Sequence, residues 1–165
     1  MFSFQTKKFL FLYLIFIAML FILIEHGYFK ALLNINGVYS TTVTYISATV
    51  MKLFVALTYN SNFIYLPNAS LEIKFGCNGL ESIILYISAV LAYPASFKQK
   101  AYGLIIGFIV INIINIVRIS LLGYVLMNHK PAFDIMHSYV TQNIMIVLVF
   151  FIFIVYLNII SKLDE

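Results

Sequence analysis

A thiol, a guanidinium and an imidazole are the side chains through which this chain could do chemistry. Cys77 is its only cysteine, Arg118 its only arginine, and His137 one of 3 histidines. Together they supply what acyl transfer through sulfur needs: a thiolate to attack a carbonyl, an imidazole to carry a proton to the departing amine, and a fixed cation to stabilise the oxyanion. Each residue also has a plainer reading. A lone cysteine in an apolar chain is often a small buried hydrophobe, an arginine near a helix end can snorkel to the headgroups, and an interfacial histidine can be a polar anchor. Position alone does not choose among His26, His129 and His137. Asp134, one turn before His137 on a helix, has the spacing to orient its ring. No H-E-x-x-H, G-x-S-x-G or Walker sequence competes, and one cysteine with dispersed histidines makes a poor metal site. Neither metal nor cofactor is expected, and a single cysteine allows no internal disulfide.

Local sequence sharpens two of the three positions. Asn78-Gly79-Leu80-Glu81 has the spacing of a capping box, with Asn78 as N-cap and Glu81 reaching back. A helix would then start just after Cys77, where free amides and the helix dipole favour a thiolate while the charge of Glu81 opposes it. In Asn112-Ile113-Ile114-Asn115-Ile116-Val117-Arg118 the polar residues recur every third position, along one helical stripe. A guanidinium facing lipid is costly, so this stripe should face the bundle interior or a wet cavity. In the same segment Gly103 and Gly107 form a G-x-x-x-G pair, which reads as close helix packing.

The elements that must position these groups belong to a membrane protein. Of 165 residues 63% are apolar and only 10% charged, too few charges to coat a globule in water, and the mean hydropathy is +1.02. The net charge of +4 comes from scattered lysines without an aromatic-lined basic stripe, so nucleic acid is not an expected partner. The fold expected is an all-α polytopic membrane protein forming a single domain over residues 1–165, with about four transmembrane helices near 9–24, 80–97, 101–126 and 138–160. The first apolar run follows Lys7 and Lys8 as in a signal peptide, but the bulky stretch from Glu25 to Lys30 offers no cleavage site, so the span is expected to be retained. Residues 25–79 form an external segment. Within it, Val38 to Leu57 reads as a helix lying at the interface or over the bundle. Phe63 to Leu66 pairs with Leu71 to Phe75 across a Pro67-Asn68 turn as a short β-hairpin. Four spans put Lys7, Lys8, Lys98, Lys100 and Lys162 on one side near helix ends, which the positive-inside rule makes cytoplasmic, together with both termini. A five-span alternative moves Lys98 and Lys100 outside and fits that rule less well. Arg118 lies about 17 residues into the third span, roughly 26 Å along it, so Cys77, Arg118 and His137 all reach the same, outer edge.

Three short segments carry a resemblance. Phe75-Gly76-Cys77-Asn78-Gly79-Leu80-Glu81-Ser82, Asn115-Ile116-Val117-Arg118-Ile119-Ser120 and Phe133-Asp134-Ile135-Met136-His137-Ser138-Tyr139 resemble, in order and spacing, the signature regions of the exosortase/archaeosortase family. The short length and the stretch Leu91-Ala92-Tyr93-Pro94-Ala95 look most like its small exosortase H branch. The likeness covers about Ile64 to the C-terminus. It implies a multi-pass cytoplasmic-membrane transpeptidase with its active site on the outer face. Its partners would be exported proteins ending in a recognition motif, a transmembrane helix and a basic cluster, along with an unidentified acceptor nucleophile and membrane lipid. By the same likeness Cys77 would form an acyl-thioester, with Arg118 and His137 completing the catalytic set, which selects His137 over the other histidines. The resemblance leaves open which of the two donates the proton. Physically, His137 is the better proton carrier and Arg118 the better charge stabiliser, since guanidinium loses its proton only above about pH 12. Two other readings stand beside it: a hydrolytic cysteine protease of the same substrates, and a non-enzymatic helical scaffold in which the three residues pack and anchor.

Overall fold

The computed structural model describes residues 4–25, 31–137 and 142–163. His26, Lys30 and Ser138, the expected start of the fourth span, lie outside the described residues. The helices are α1 (Phe4–Glu25), α2 (Ile35–Met51), α3 (Leu80–Ala92), α4 (Phe97–Asn128), α5 (Lys130–Ile135) and α6 (Gln142–Leu163). Strands β1 (Thr58–Asn60), β2 (Phe63–Leu66) and β3 (Ala69–Glu72) lie between α2 and α3. The chain is thus mostly helical with a small antiparallel sheet in strand order β1-β2-β3.

Among the described residues, three helices are long and apolar enough to cross a membrane, within α1, α4 and α6. The expected span at 80–97 is shorter than the sequence suggested. Helix α3 has 13 residues, about 20 Å, less than the ~30 Å of a hydrocarbon core. It stops because Pro94 disfavours helical backbone at Tyr93, which is extended (φ −73°, ψ 136°). Phe97 belongs instead to the next helix, whose start is fixed by a reciprocal cap: Gln99 N–H donates to Ser96 Oγ at 3.4 Å, and Ser96 N–H donates to Gln99 Oε1 at 2.8 Å.

Short as it is, α3 sits at the centre. It packs against α1, α4 and α6, and Ile83, Tyr86 and Val90 meet Ile111 of α4 and Met145, Val149 and Tyr156 of α6 in one core. The glycine pair on α4 serves this packing. A Cβ on Gly107 would collide with the Tyr86 ring and one on Gly103 with the Tyr156 ring, and Tyr86 Oη donates to the Gly103 carbonyl at 3.0 Å. The close approach expected of G-x-x-x-G is therefore made by tyrosine rings from two neighbouring helices lying on the bare backbone.

The segment between α1 and α3 forms a second core. Helix α2 packs on α4, and its Val43, Ala48 and Met51 are buried with Ile64 and Leu66 of β2, Leu71 of β3, Ile73, Cys77 and Ile119. This agrees with a helix packed over the bundle, though it runs Ile35–Met51 rather than Val38 to Leu57. The hairpin forms across Pro67-Asn68, with Leu66 opposite Ala69 and Ile64 opposite Leu71. Strand β3 ends at Glu72, short of the expected Phe75, and a third strand, β1, adds itself through the pairing of Tyr59 with Ile64. Three residues of Thr-Tyr-Asn were too short a run to read as a strand. The sheet leads directly into Cys77.

Candidate active site

Cys77 sits on a tight loop between two left-handed glycines, Gly76 (φ +88°) and Gly79 (φ +85°). The N–H groups of Cys77 and Asn78 both donate to the Lys74 carbonyl, at 2.8 and 2.9 Å. Only glycine takes such backbone angles without strain, so the loop can turn sharply from the sheet into α3. The expected capping box does not form. Gly79 is the N-cap of α3, and Asn78 Oδ1 accepts from Leu80 N–H at 3.0 Å from one position further back. Glu81 keeps its carboxylate beside Gly76 without capping the helix, and accepts from Gln142 Nε2 of α6 at 3.2 Å. With Gly79 in the left-handed region Asn78 lies outside the helix, which leaves its side chain free to reach elsewhere.

Asn78 is fully buried and occupies the middle of a polar chain through the bundle. Its Nδ2 donates to Asn36 Oδ1 at 2.8 Å and to Ser40 Oγ at 2.9 Å, both on α2. Asn36 Nδ2 in turn donates to Glu25 Oε1 of α1 at 2.6 Å. On the other side, Asn115 Nδ2 of α4 donates to the Asn78 carbonyl at 2.6 Å. Arg118 Nη1, one turn along, donates to Asn115 Oδ1 at 3.4 Å. The stripe read from Asn112, Asn115 and Arg118 does face inward: Asn112 Oδ1 accepts from Tyr39 Oη of α2 at 2.7 Å, Asn115 is 1% exposed and Arg118 7%. That burial excludes snorkelling for the arginine.

The Arg118 Nε and Nη2 atoms are buried and have no partner among the described residues. They form one edge of the guanidinium fork, the geometry that grips two oxygens or one oxyanion. Leaving such donors unmet costs free energy unless a ligand takes them. Arg118 borders a cavity of about 260 Å³, whose wall includes Gly76, Gly79, Glu81, Ser82 and Gln142. It also borders an apolar cavity of about 250 Å³ between α4 and α6, with Met136 on its wall. A larger apolar recess of about 450 Å³ around Tyr86, Gly103 and Tyr156 touches none of Cys77, Arg118 or His137.

Cys77 is 1% exposed and packs with Ile73 and Ile119, with Phe133 against the same cluster. Burial pushes its thiol up from the ordinary cysteine range, while the charges of Arg118 and Lys74 pull it back down. His137 lies just beyond α5, its ring stacked on Phe133 with centroids 5.4 Å apart. Burial, then the charges of Arg118 and Lys74, hold its imidazole below the usual histidine range, with Asp134 acting the other way. Arg118 is thus the shared neighbour: its charge acts on Cys77 and on His137 alike. Both shifts disfavour a thiolate–imidazolium pair. His129, the N-cap of α5, is exposed.

The chain is similar in sequence to known proteins. The family model described as transmembrane exosortase matches residues 1–156. A probable archaeosortase E from Methanocaldococcus jannaschii is 31% identical over 162 residues, covering 96% of this chain and 83% of that protein. The chain belongs to the transmembrane exosortase family. No solved structure matches it. As an exosortase-family member it is a membrane protein, and the family is one of protein-sorting transpeptidases acting on exported proteins with C-terminal sorting signals. Spacing and resemblance did not point to Lys74 or Gln142 as neighbours of the site. Asn78 was legible only as a cap. Lys74 fell within the expected strand from Leu71 to Phe75, and nothing in sequence ties Gln142 to Glu81 across the bundle.

Proposed function

We propose that this chain is a membrane-embedded cysteine transpeptidase that removes the C-terminal sorting signal of exported proteins and transfers them to an acceptor. The observation that carries the reading is the buried donor edge of Arg118, unpartnered, on a cavity beside the Cys77 loop and coupled electrostatically to that thiol.

His137 takes the Cys77 proton as the sulfur attacks the scissile carbonyl. The carbonyl π electrons move onto oxygen, and Arg118 Nε–H and Nη2–H stabilise that oxyanion. The tetrahedral intermediate collapses, the C–N bond breaks, and His137 returns the proton to the leaving amine, leaving an acyl-thioester on Cys77. An acceptor nucleophile then attacks the thioester, giving its proton to His137, and the thiol is regenerated. A thiol shifted up and an imidazole shifted down suit this order of events, in which the proton moves during attack rather than before it.

The chain acts as one membrane-embedded domain with both termini cytoplasmic and the site at the outer rim, where a helix-anchored substrate presents its exported portion. Support comes from the start of α1, the end of α3 and the start of α4 packing side by side, with Phe9 against Tyr93 and Phe153 and Lys100 on the Leu91 carbonyl, so that Lys7, Lys8, Lys98 and Lys100 share one end of the bundle. In membranes holding a substrate with its sorting signal, Arg118→Ala should leave the chain inserted while unprocessed substrate accumulates. Mass spectrometry of the wild-type product should find a group attached at the new C-terminus. A free carboxylate there would mean hydrolysis instead, and normal processing by Arg118→Ala would contradict the assigned role.

A further inference from the structure

We infer that Asn115 is a positioning residue that fastens the Arg118 guanidinium and the Cys77 loop into one unit. The inference rests on the reading of Cys77 and Arg118 as the reacting thiol and its donor. Both polar atoms of the Asn115 amide are committed: Nδ2 donates to the Asn78 carbonyl at 2.6 Å, and Oδ1 accepts from Arg118 Nη1 at 3.4 Å. One side chain therefore holds the backbone next to the thiol with one end and the arginine with the other.

The fit is tight on the loop side as well. A Cβ on Gly79 would come within 2.7 Å of the Asn115 side chain, so the absence of a side chain there is what lets the amide reach the loop. The bond to Nη1 also decides which edge of the guanidinium stays open, since it uses the far nitrogen and leaves Nε and Nη2 unpartnered. An arginine side chain has many rotamers, and without this anchor the open edge would have no fixed direction. Beyond the loop, Asn78 is tied to α2 through Asn36 and Ser40, so the unit is braced against a helix other than α4.

Cys77 is the only cysteine, so alkylation of the full chain in membranes by a small neutral probe, iodoacetamide, reports on this thiol alone. The pH dependence of the rate reads the charges around it. Arg118 and Lys74 act on the thiol directly, and Glu81, His137 and Asp134 surround the guanidinium and imidazole. If Asn115 positions Arg118, Asn115→Ala should move the midpoint upward as Arg118→Ala does, with a roughly tenfold slower rate at neutral pH for a movement of about one pH unit. The double variant should move it no further than Arg118→Ala alone, since positions acting as a unit are not additive. Should the alanine variant fail to insert, Asn115→Leu keeps a similar shape, removes both hydrogen bonds without adding a charge and should show the same movement. A wild-type midpoint in a folded Asn115 variant, or additive movements in the double variant, would overturn the inference while leaving the transpeptidase reading intact. An unmoved midpoint in Arg118→Ala would overturn both.

Discussion

Burial and nearby charge oppose each other on Cys77 and act together on His137, the proposed proton-exchanging pair. Burial raises the Cys77 thiol and lowers the His137 imidazole, and the Arg118 and Lys74 charges lower both. The base form of a histidine is lost as pH falls through its pKa. With that pKa held below the ordinary value of about 6.5, kcat/KM for signal cleavage should stay level through neutrality and fall only on the acid side of about pH 6.5. Asp134→Asn removes the one charge that raises His137, so the acid limb should move to still lower pH. A limb that stays in place or moves up would show that His137 is not the titrating base. At this scale the sequence was informative about residue types: the lone cysteine and lone arginine could be singled out, and the inward stripe of Asn112, Asn115 and Arg118 followed from spacing by three. What spacing could not supply was the choice among histidines. That choice depends on Phe133 holding His137 near the guanidinium, a contact between segments whose separation in space no local pattern encodes.

The loop and the short central helix are where element-level expectations were corrected. A capping box over Asn78 and Glu81 was a sound reading of four residues, but the sheet delivers the chain at an angle that needs left-handed backbone at Gly79, and this shifts the cap by one. The two loop glycines separate strain from crowding. Gly76→Ala meets only the Glu81 carboxylate oxygen at 3.7 Å, while Gly79→Ala meets the Asn115 amide at 2.7 Å, at nearly equal φ. Gly76→Ala should therefore cost about 1–2 kcal/mol of strain alone, measurable as a lower thermal midpoint in detergent, with partial activity. Gly79→Ala should cost more and also abolish processing, because the amide must move. Equal losses in the two variants would show that the Asn115 contact is immaterial. At the start of α4, Ser96→Ala removes a reciprocal cap and should destabilise by about 1 kcal/mol without altering activity. The apolar run from Leu80 to Phe97 looked like one span because Pro94 is a single residue in an otherwise apolar stretch, yet that one residue divides it into the end of α3 and the lead into α4.

On the scale of the whole molecule, a compact helical bundle carries a small sheet and α2 as a cap over one end of α4, with Cys77 in the core under that cap and the charge of buried Arg118 acting on both Cys77 and His137. The membrane class was plain from composition, since 10% charge cannot solvate this much apolar surface. The division of labour among helices was not, because a largely buried α3 and a largely exposed α1 are similarly apolar and differ only in what surrounds them. The proposed orientation makes its own prediction. In the Cys77→Ala background, a cysteine introduced at Asn68 in the hairpin turn should react with an impermeant maleimide on intact cells, and one at Lys98 only after the membrane is opened. The reverse pattern would invert the topology. The central claim is that Cys77 carries the acyl group, and trapping that adduct tests it most directly. Incubated with substrate and quenched in acid, the wild-type chain should gain the mass of the cleaved substrate's N-terminal portion and release it on treatment with neutral hydroxylamine, and Cys77→Ala should neither gain mass nor process substrate. Processing by a correctly inserted Cys77→Ala chain would contradict the account.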